Sequence, residues 1–181
     1  MCDTKGIIHS GRPDLNDIKR DVLKYTNKSK IKGTLKDAIK DADVFIGVSQ
    51  GNILSSEDIT TMAENPIILA LANPTPEISP DLAYKGGAGV VGTGRSDLPN
   101  QVNNVLAFPG IFKGALAVRA RRITNRMKIA AAYAIAECVE NVERDCIIPN
   151  ALDFGVADRV AEAVMKAYKE DKKIDAPKHE L

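Results

Sequence analysis

The sequence predicts an α/β protein built on a doubly wound parallel sheet, with helices making up its C-terminal half. Three observations carry this. Short apolar runs at residues 42–48, 66–72 and 89–92 recur at intervals that leave room for a helix between them. Their apolarity is continuous rather than alternating, as a strand covered on both faces requires, which favours parallel pairing. The segments between them open on helix start signals, and strand–helix–strand–helix–strand at this spacing implies right-handed crossovers.

The elements follow in order. Thr34 precedes Leu35-Lys36-Asp37-Ala38-Ile39 and starts the helix before the first strand candidate, ADVFIGV. Ser55 and Asp58 make a capping box ahead of the second, PIILALA. Ser79-Pro80-Asp81 begins a further helix, with proline in a first-turn position where its missing N–H costs nothing. The third candidate, GVVG, is shorter. Helix dominates after Gly110. Thr124 caps a run over 125–139, with Met127, Ala130, Ala131, Ala134, Ile135 and Cys138 on one face. A second run over 153–169 carries Val156, Val160, Ala163, Val164 and Ala167 at helical spacing. Both stripes are core faces. Arg119, Arg121 and Arg122 read as a solvated helix end or partner contact. Residues 1–170 form the domain, and 171–181 are expected to be a frayed tail.

Composition excludes several classes. The chain has 181 residues, enough for one ordinary domain, and its 44% hydrophobic and 27% charged content is that of a globular protein. A formal net charge of +1 provides no broad field for nucleic acid or an acidic membrane surface. Cys2, Cys138 and Cys146 are widely spaced without a CxxC, so neither a disulfide framework nor a zinc site is indicated. No signal peptide opens the chain and no apolar run approaches the ~18 residues of a membrane span. A reducing, cytoplasmic compartment is expected.

Ligands of open α/β sheets bind beyond the carboxyl ends of the strands. Gly47-Val48-Ser49-Gln50-Gly51 ends the first strand candidate, with glycines that let a ligand approach the backbone. Asn73 ends the second, in ANPTP, where Pro74 biases it towards an extended backbone and holds its amide. The third is followed by GTGRSDLPNQVNNVLAFPG, residues 92–110, in which Asn100, Gln101, Asn103 and Asn104 crowd together. Amides are poor strand and helix formers but supply donors and an acceptor. The segment suits a ligand-binding rim; the plainer alternative is a solvated turn. Asp3 sits near the chain start, where a dinucleotide fold presents an acid to the adenine ribose, yet no GxGxxG occurs anywhere.

Read in order, IHSGRPDLN, ADVFIGVS, ALANPTPEI, GTGRSDLPNQVNNVLAFPGIFKGAL and MKIAAAYAIA resemble the cofactor-binding part of malic enzyme in its shorter bacterial and archaeal form. The resemblance covers nearly the whole chain, from Cys2 to about residue 169. It implies a Rossmann-like domain, N-terminally truncated: the first strand, glycine-rich turn and helix of that domain have no counterpart here. It further implies NAD- or NADP-linked oxidation of L-malate and decarboxylation to pyruvate and CO2, with Mg2+ or Mn2+ in the intact enzyme, which is expected to be a homodimer. By the same resemblance Asn73 lies near malate and the nicotinamide ribose. Asn104, with Asn103 beside it, contacts substrate and carboxamide. Asp3 matches the ribose-binding acid, and Gly47, Val48 and Ser49 match the segment lying against the cofactor.

The sequence departs from the family in what it lacks. The family's general-acid Tyr, general-base Lys and acidic metal ligands match no residue here, so Tyr25, Tyr84, Lys5 and Lys113 are not assigned those roles, and no catalytic or metal residue is assigned. Arg12 and Asp14 read as helix-entry residues, with Arg12 within possible reach of cofactor phosphates. Asp3 favours NAD over NADP, against which stands neighbouring Lys5. Two functions remain: part of a malic enzyme, or an inactive nucleotide-binding or subunit-pairing module.

Overall fold

A computed structural model describes residues 1–174 and divides into two compact units, Met1–Val91 and a second beginning at Gly92. The first unit opens on a hairpin, β1 (Cys2–Asp3) against β2 (Gly6–Ile7), followed by helix α1 (Asp17–Val22). Then come α2 (Leu35–Ile39), β3 (Val44–Gly47), α3 (Ser56–Ile59), β4 (Ile67–Ala70), α4 (Pro80–Lys85) and β5 (Val90–Thr93). The predicted strand–helix alternation is observed. β3 and β4 run parallel, in register from Val44 opposite Ile67 to Gly47 opposite Ala70, and the strand order is β3-β4-β5.

Local chemistry sets the helix ends. Ser55 accepts from the Asp58 N–H while the Asp58 carboxylate takes the Ser55 N–H at 2.9 Å, the predicted capping box. Thr34 and Asp37 repeat the arrangement at α2. α1 is entered differently from expectation. Asn16 is its cap, accepting from the Lys19 N–H at 2.9 Å, so Arg12 and Asp14 lie before the helix entry and serve an ion-pair cluster.

The core of this unit is Phe45, Ile68 and Val91 from the strands with Ile39, Ile59, Met62, Ile78 and Ala83. One expectation does not hold. β3 alternates, with Phe45 and Gly47 buried but Val44 46% and Ile46 64% exposed. Apolar runs only permit burial on both faces; α2, α3 and α4 all contribute to the one core that takes Phe45.

The second unit is helical. A single 3-10 turn (Asn104–Leu106) leads into α5 (Phe108–Ala117), then α6 (Asn125–Ala136) and α7 (Phe154–Ile174). α5 and α6 both pack on α7, around Leu106, Ala115, Met127, Ala131, Val156, Val160 and Val164. Thr124 caps α6 by accepting the Met127 N–H at 3.2 Å, and its hydroxyl donates to Asp171 at 2.8 Å. Arg126 also meets Asp171, at 3.2 Å. These contacts lie on the last turns of α7, so residues 171–174 are helix rather than tail; 175–181 lie outside the described residues. No described helix is long and apolar enough to cross a membrane.

Candidate functional site

The carboxyl ends of β3 and β4 open into a cleft of about 360 Å3, lined by Ser49, Gln50, Gly51 and Asn52 from one strand end and Ala72, Asn73, Pro74 and Thr75 from the other. Parallel pairing makes this possible, because both strands finish on the same edge. Leu71 N–H donates to Gly47 O at 2.9 Å, and the ladder ends there. Beyond it the two loops are tied by Asn52 N–H to Pro76 O at 3.0 Å and Leu54 N–H to Glu77 O at 3.1 Å. Asn73 stands exposed on the rim, the Asn73–Pro74 peptide is cis, and the Asn73 amide makes no hydrogen bond among the described residues.

The glycines here also make room for groups within the fold. A Cβ on Gly51 would stand 2.7 Å from both Cβ and O of Thr75, so Gly51 lets the two loops touch. A Cβ on Gly47 would run into the carboxyl group of Glu77. Gly47 therefore makes room for an internal side chain. Val48 is exposed, and Ser49 lines the cleft. Glu77 escaped sequence reasoning. In NPTPEI it reads as a turn residue, and only the folded backbone shows it to be wholly buried, with its carboxylate behind both strand ends.

Asp3 is found elsewhere in this unit, at the centre of a charge cluster. Its Oδ1 accepts from Lys5 N–H at 2.9 Å and Arg12 Nη1 at 2.7 Å; its Oδ2 accepts from Arg12 Nη2 at 3.1 Å and Lys19 Nζ at 2.5 Å. A carboxylate offers about four acceptor positions, and these bonds occupy them. Arg12 is likewise saturated. Nε and Nη2 also reach Asp14, at 3.0 and 2.7 Å, and Nη1 reaches Gly6 O at 3.4 Å, using all five of its N–H donors. Arg12 thus has no donor left for a phosphate in this arrangement. A ribose hydroxyl reaching Asp3 has to displace Lys19 or the Lys5 N–H.

The Arg12 guanidinium, then Lys19, holds the Asp3 carboxyl well below the usual carboxylate range; Arg12, then Lys5, does the same for Asp14. Folding lowers both pKa values, so the cluster stabilises the folded chain above the ordinary carboxylate value of about 4; the gain begins to fall below that value and is lost only as pH falls through the depressed values of the folded chain. Asp14→Asn should lower the melting temperature at neutral pH, with the gap to wild type beginning to narrow as pH is taken from about 4 to about 3. A gap independent of pH would show that the cluster does not act through these charges.

In the second unit the amide-rich segment is not uniform. Asn100 is 5% exposed and adopts φ +52°; its amide donates to Arg144 O at 2.9 Å and its carbonyl accepts from Ile147 N–H at 2.9 Å. Its main-chain oxygen accepts from Thr93 N–H at 3.3 Å, and Val102 N–H returns to Thr93 O at 2.8 Å. Asn100 is a structural clamp. Asn103 caps the 3-10 turn by accepting from Val105 N–H at 3.1 Å. Asn104 opens that turn, is exposed, and its side chain makes no hydrogen bond among the described residues. Asn104 is thus exposed with its donors and acceptor open, whereas Asn100 is bonded within the fold and Asn103 uses its acceptor on the turn.

Among the described residues no group of three or more His, Cys, Asp or Glu side chains is placed to hold a metal ion.

Comparison with known proteins agrees with this architecture. Residues 1–169 match the family described as malic enzyme, NAD binding domain. The chain is 57% identical over 173 residues to the bifunctional malic/malolactic enzyme of Bacillus subtilis (strain 168), covering 94% of this chain and 42% of that one. It is 46% identical over 184 residues to the NADP-dependent malic enzyme of Halomonas elongata, covering 92% of this chain and 43% of that one. The crystal structure of the NAD-dependent malic enzyme from Thermotoga maritima superposes with a TM-score of 0.86 at 49% identity, over 90% of this chain and 43% of that one. The chain spans less than half the length of these relatives.

Proposed function

This chain belongs to the malic enzyme family, and from that membership we propose that it forms the dinucleotide-binding part of an enzyme converting L-malate to pyruvate and CO2. The observation that carries the reading is the cleft at the joint carboxyl edge of β3 and β4, with Ser49 and Asn73 on its walls. That edge is where open α/β sheets bind nucleotides. Its lining is polar and backbone-rich, which suits a ribose and a carboxamide.

When bound, NAD or NADP supplies the hydride acceptor for the malate hydroxyl carbon. The chain's own contribution is positioning. Gly47, Val48 and Ser49 present the end of β3 to the cofactor. Asn73 orients the nicotinamide ribose and the substrate through its amide, and Asn104, with Asn103 beside it, does the same for the substrate and the carboxamide. Asp3 serves the adenine ribose once Lys19 yields. Because Arg12 and Lys19 offset the charge of Asp3, the repulsion that would select against a ribose phosphate is reduced, and both NAD and NADP are proposed as ligands. Mg2+ or Mn2+ and a second copy of the chain are proposed for the complete enzyme.

The test is a titration of the chain with NADH and NADPH, followed by nucleotide fluorescence and by amide shifts at Ser49 and Asn73. Saturable binding with shifts at the cleft is expected, without malate turnover by the 181-residue chain alone. No binding of either nucleotide would remove the cleft as the cofactor site. Malate-dependent NAD(P)H formation by the pure chain would show that it holds the complete chemistry.

A further inference from the structure

Glu77 is wholly buried, and among the described residues it has no ion-pair partner. A carboxyl group in such a place needs donors. They come from the main chain: Oε1 accepts from Ser49 N–H at 2.9 Å and Oε2 from Ala72 N–H at 3.0 Å. Ser49 is the second residue past β3 and Ala72 the second past β4. One side chain thus joins two residues that line the cleft, one just past each strand end. Its own main-chain oxygen is fixed by Leu54 N–H, and Gly47 packs against the carboxyl group from below.

The consequence falls on Asn73, the residue after Ala72. Its side chain has no partner among the described residues, so its place is set by the backbone it leaves, and Ala72 is held there by Glu77 Oε2. We propose that Glu77 is the positioning residue of the cleft. Its carboxylate holds Ser49 and Ala72 at a fixed separation, sets the two loop walls, and places the Asn73 amide. The ligand-binding consequence rests on the nucleotide reading above; the geometric consequence does not.

Glu77→Gln tests this with little change of shape. A carboxamide has one acceptor oxygen, so its NH2 must face one of the two main-chain N–H groups and that bond is lost. Gly47→Ala presses on the carboxyl group from the other side and is the second variant. Three quantities are read in the 181-residue chain: amide shifts of Ser49, Ala72 and the Asn73 side chain; NADH and NADPH affinity; and thermal melting.

In both variants Ser49 or Ala72 N–H should move upfield, the Asn73 side-chain amide should move with it, and nucleotide affinity should fall about fivefold or more while melting remains cooperative. A shift at Ser49 or Ala72 without movement at Asn73 or loss of affinity would overturn the proposal and leave Glu77 a local staple. Loss of cooperative melting in both variants would overturn it too, making Glu77 a support of the whole unit. If wild type binds neither nucleotide, the cofactor reading fails and the Asn73 shift alone decides.

Discussion

Gly110→Ala and Gly114→Ala should each lower the melting temperature, although alanine is the better helix former. In an open helix position the change from glycine would stabilise by about 1 kcal/mol. Here both residues are buried on the face of α5 that meets α7. A Cβ on Gly110 would stand 2.5 Å from Val160 Cβ and 2.7 Å from Ala157 O; one on Gly114 would stand 2.6 Å from Ala161 O and 3.0 Å from Val164 Cβ. The main-chain oxygens of α7 cannot turn aside as a side-chain tip can, so the helices must separate. Overpacking of this kind costs about 1–3 kcal/mol, which outweighs the propensity gain. Val at either site adds further bulk at the same contact and should cost more.

The two alanine changes act on one interface, so the double variant should fall short of the sum of the singles. For a chain of this size each kcal/mol corresponds to a shift of about 2–4 °C. A melting temperature at or above that of wild type in both single variants would show that the α5–α7 contact relaxes freely. The outward face of α5, with Phe108, Phe112 and Leu116 more than half exposed, provides the control. Substitutions there should leave the melting temperature nearly unchanged.

Why this contact was hidden in the sequence, while much else was plain, has a physical answer. Thr34, Ser55, Ser79 and Thr124 mark helix starts because a cap is a local matter, settled within four residues. The apolar runs locate β3, β4 and β5 for the same reason. FPGIFKGAL, by contrast, reads as a weak helix carrying two glycines, since their value lies in the surface of α7, which meets them far along the chain at Ala157, Val160, Ala161 and Val164. Glu77 and Arg12 follow the same pattern. One is a buried carboxylate whose donors are main-chain N–H groups just past the ends of two strands, the other a guanidinium whose acceptors lie on both sides of it in the chain. Nothing in their neighbours signals either role. The side of β3 that takes the core was equally illegible, because an apolar run fixes which residues can be buried and not which layer reaches them.

The amide segment after β5 gives the sharpest separation of fold from function. Asn100→Ala should destabilise the chain, and Asn104→Ala should not. Removing the Asn100 amide takes away its hydrogen bonds with Ile147 N–H and Arg144 O and puts alanine at φ +52°, a backbone region that residues other than glycine and asparagine avoid. The expected cost is about 2–4 kcal/mol. The Asn104 side chain supports nothing in the described fold, so its loss should change the stability by no more than the few tenths of a kcal/mol usual for exposed sites. In the complete enzyme, however, Asn104→Ala should reduce kcat/KM for malate by about 2–4 kcal/mol, if its amide positions substrate and carboxamide in the transition state. The contrast between the two variants is what decides. Unchanged turnover in Asn104→Ala removes that residue from the site. Equal loss of stability in both would mean that the segment acts as a single structural unit, and that its outward amide carries no separate role.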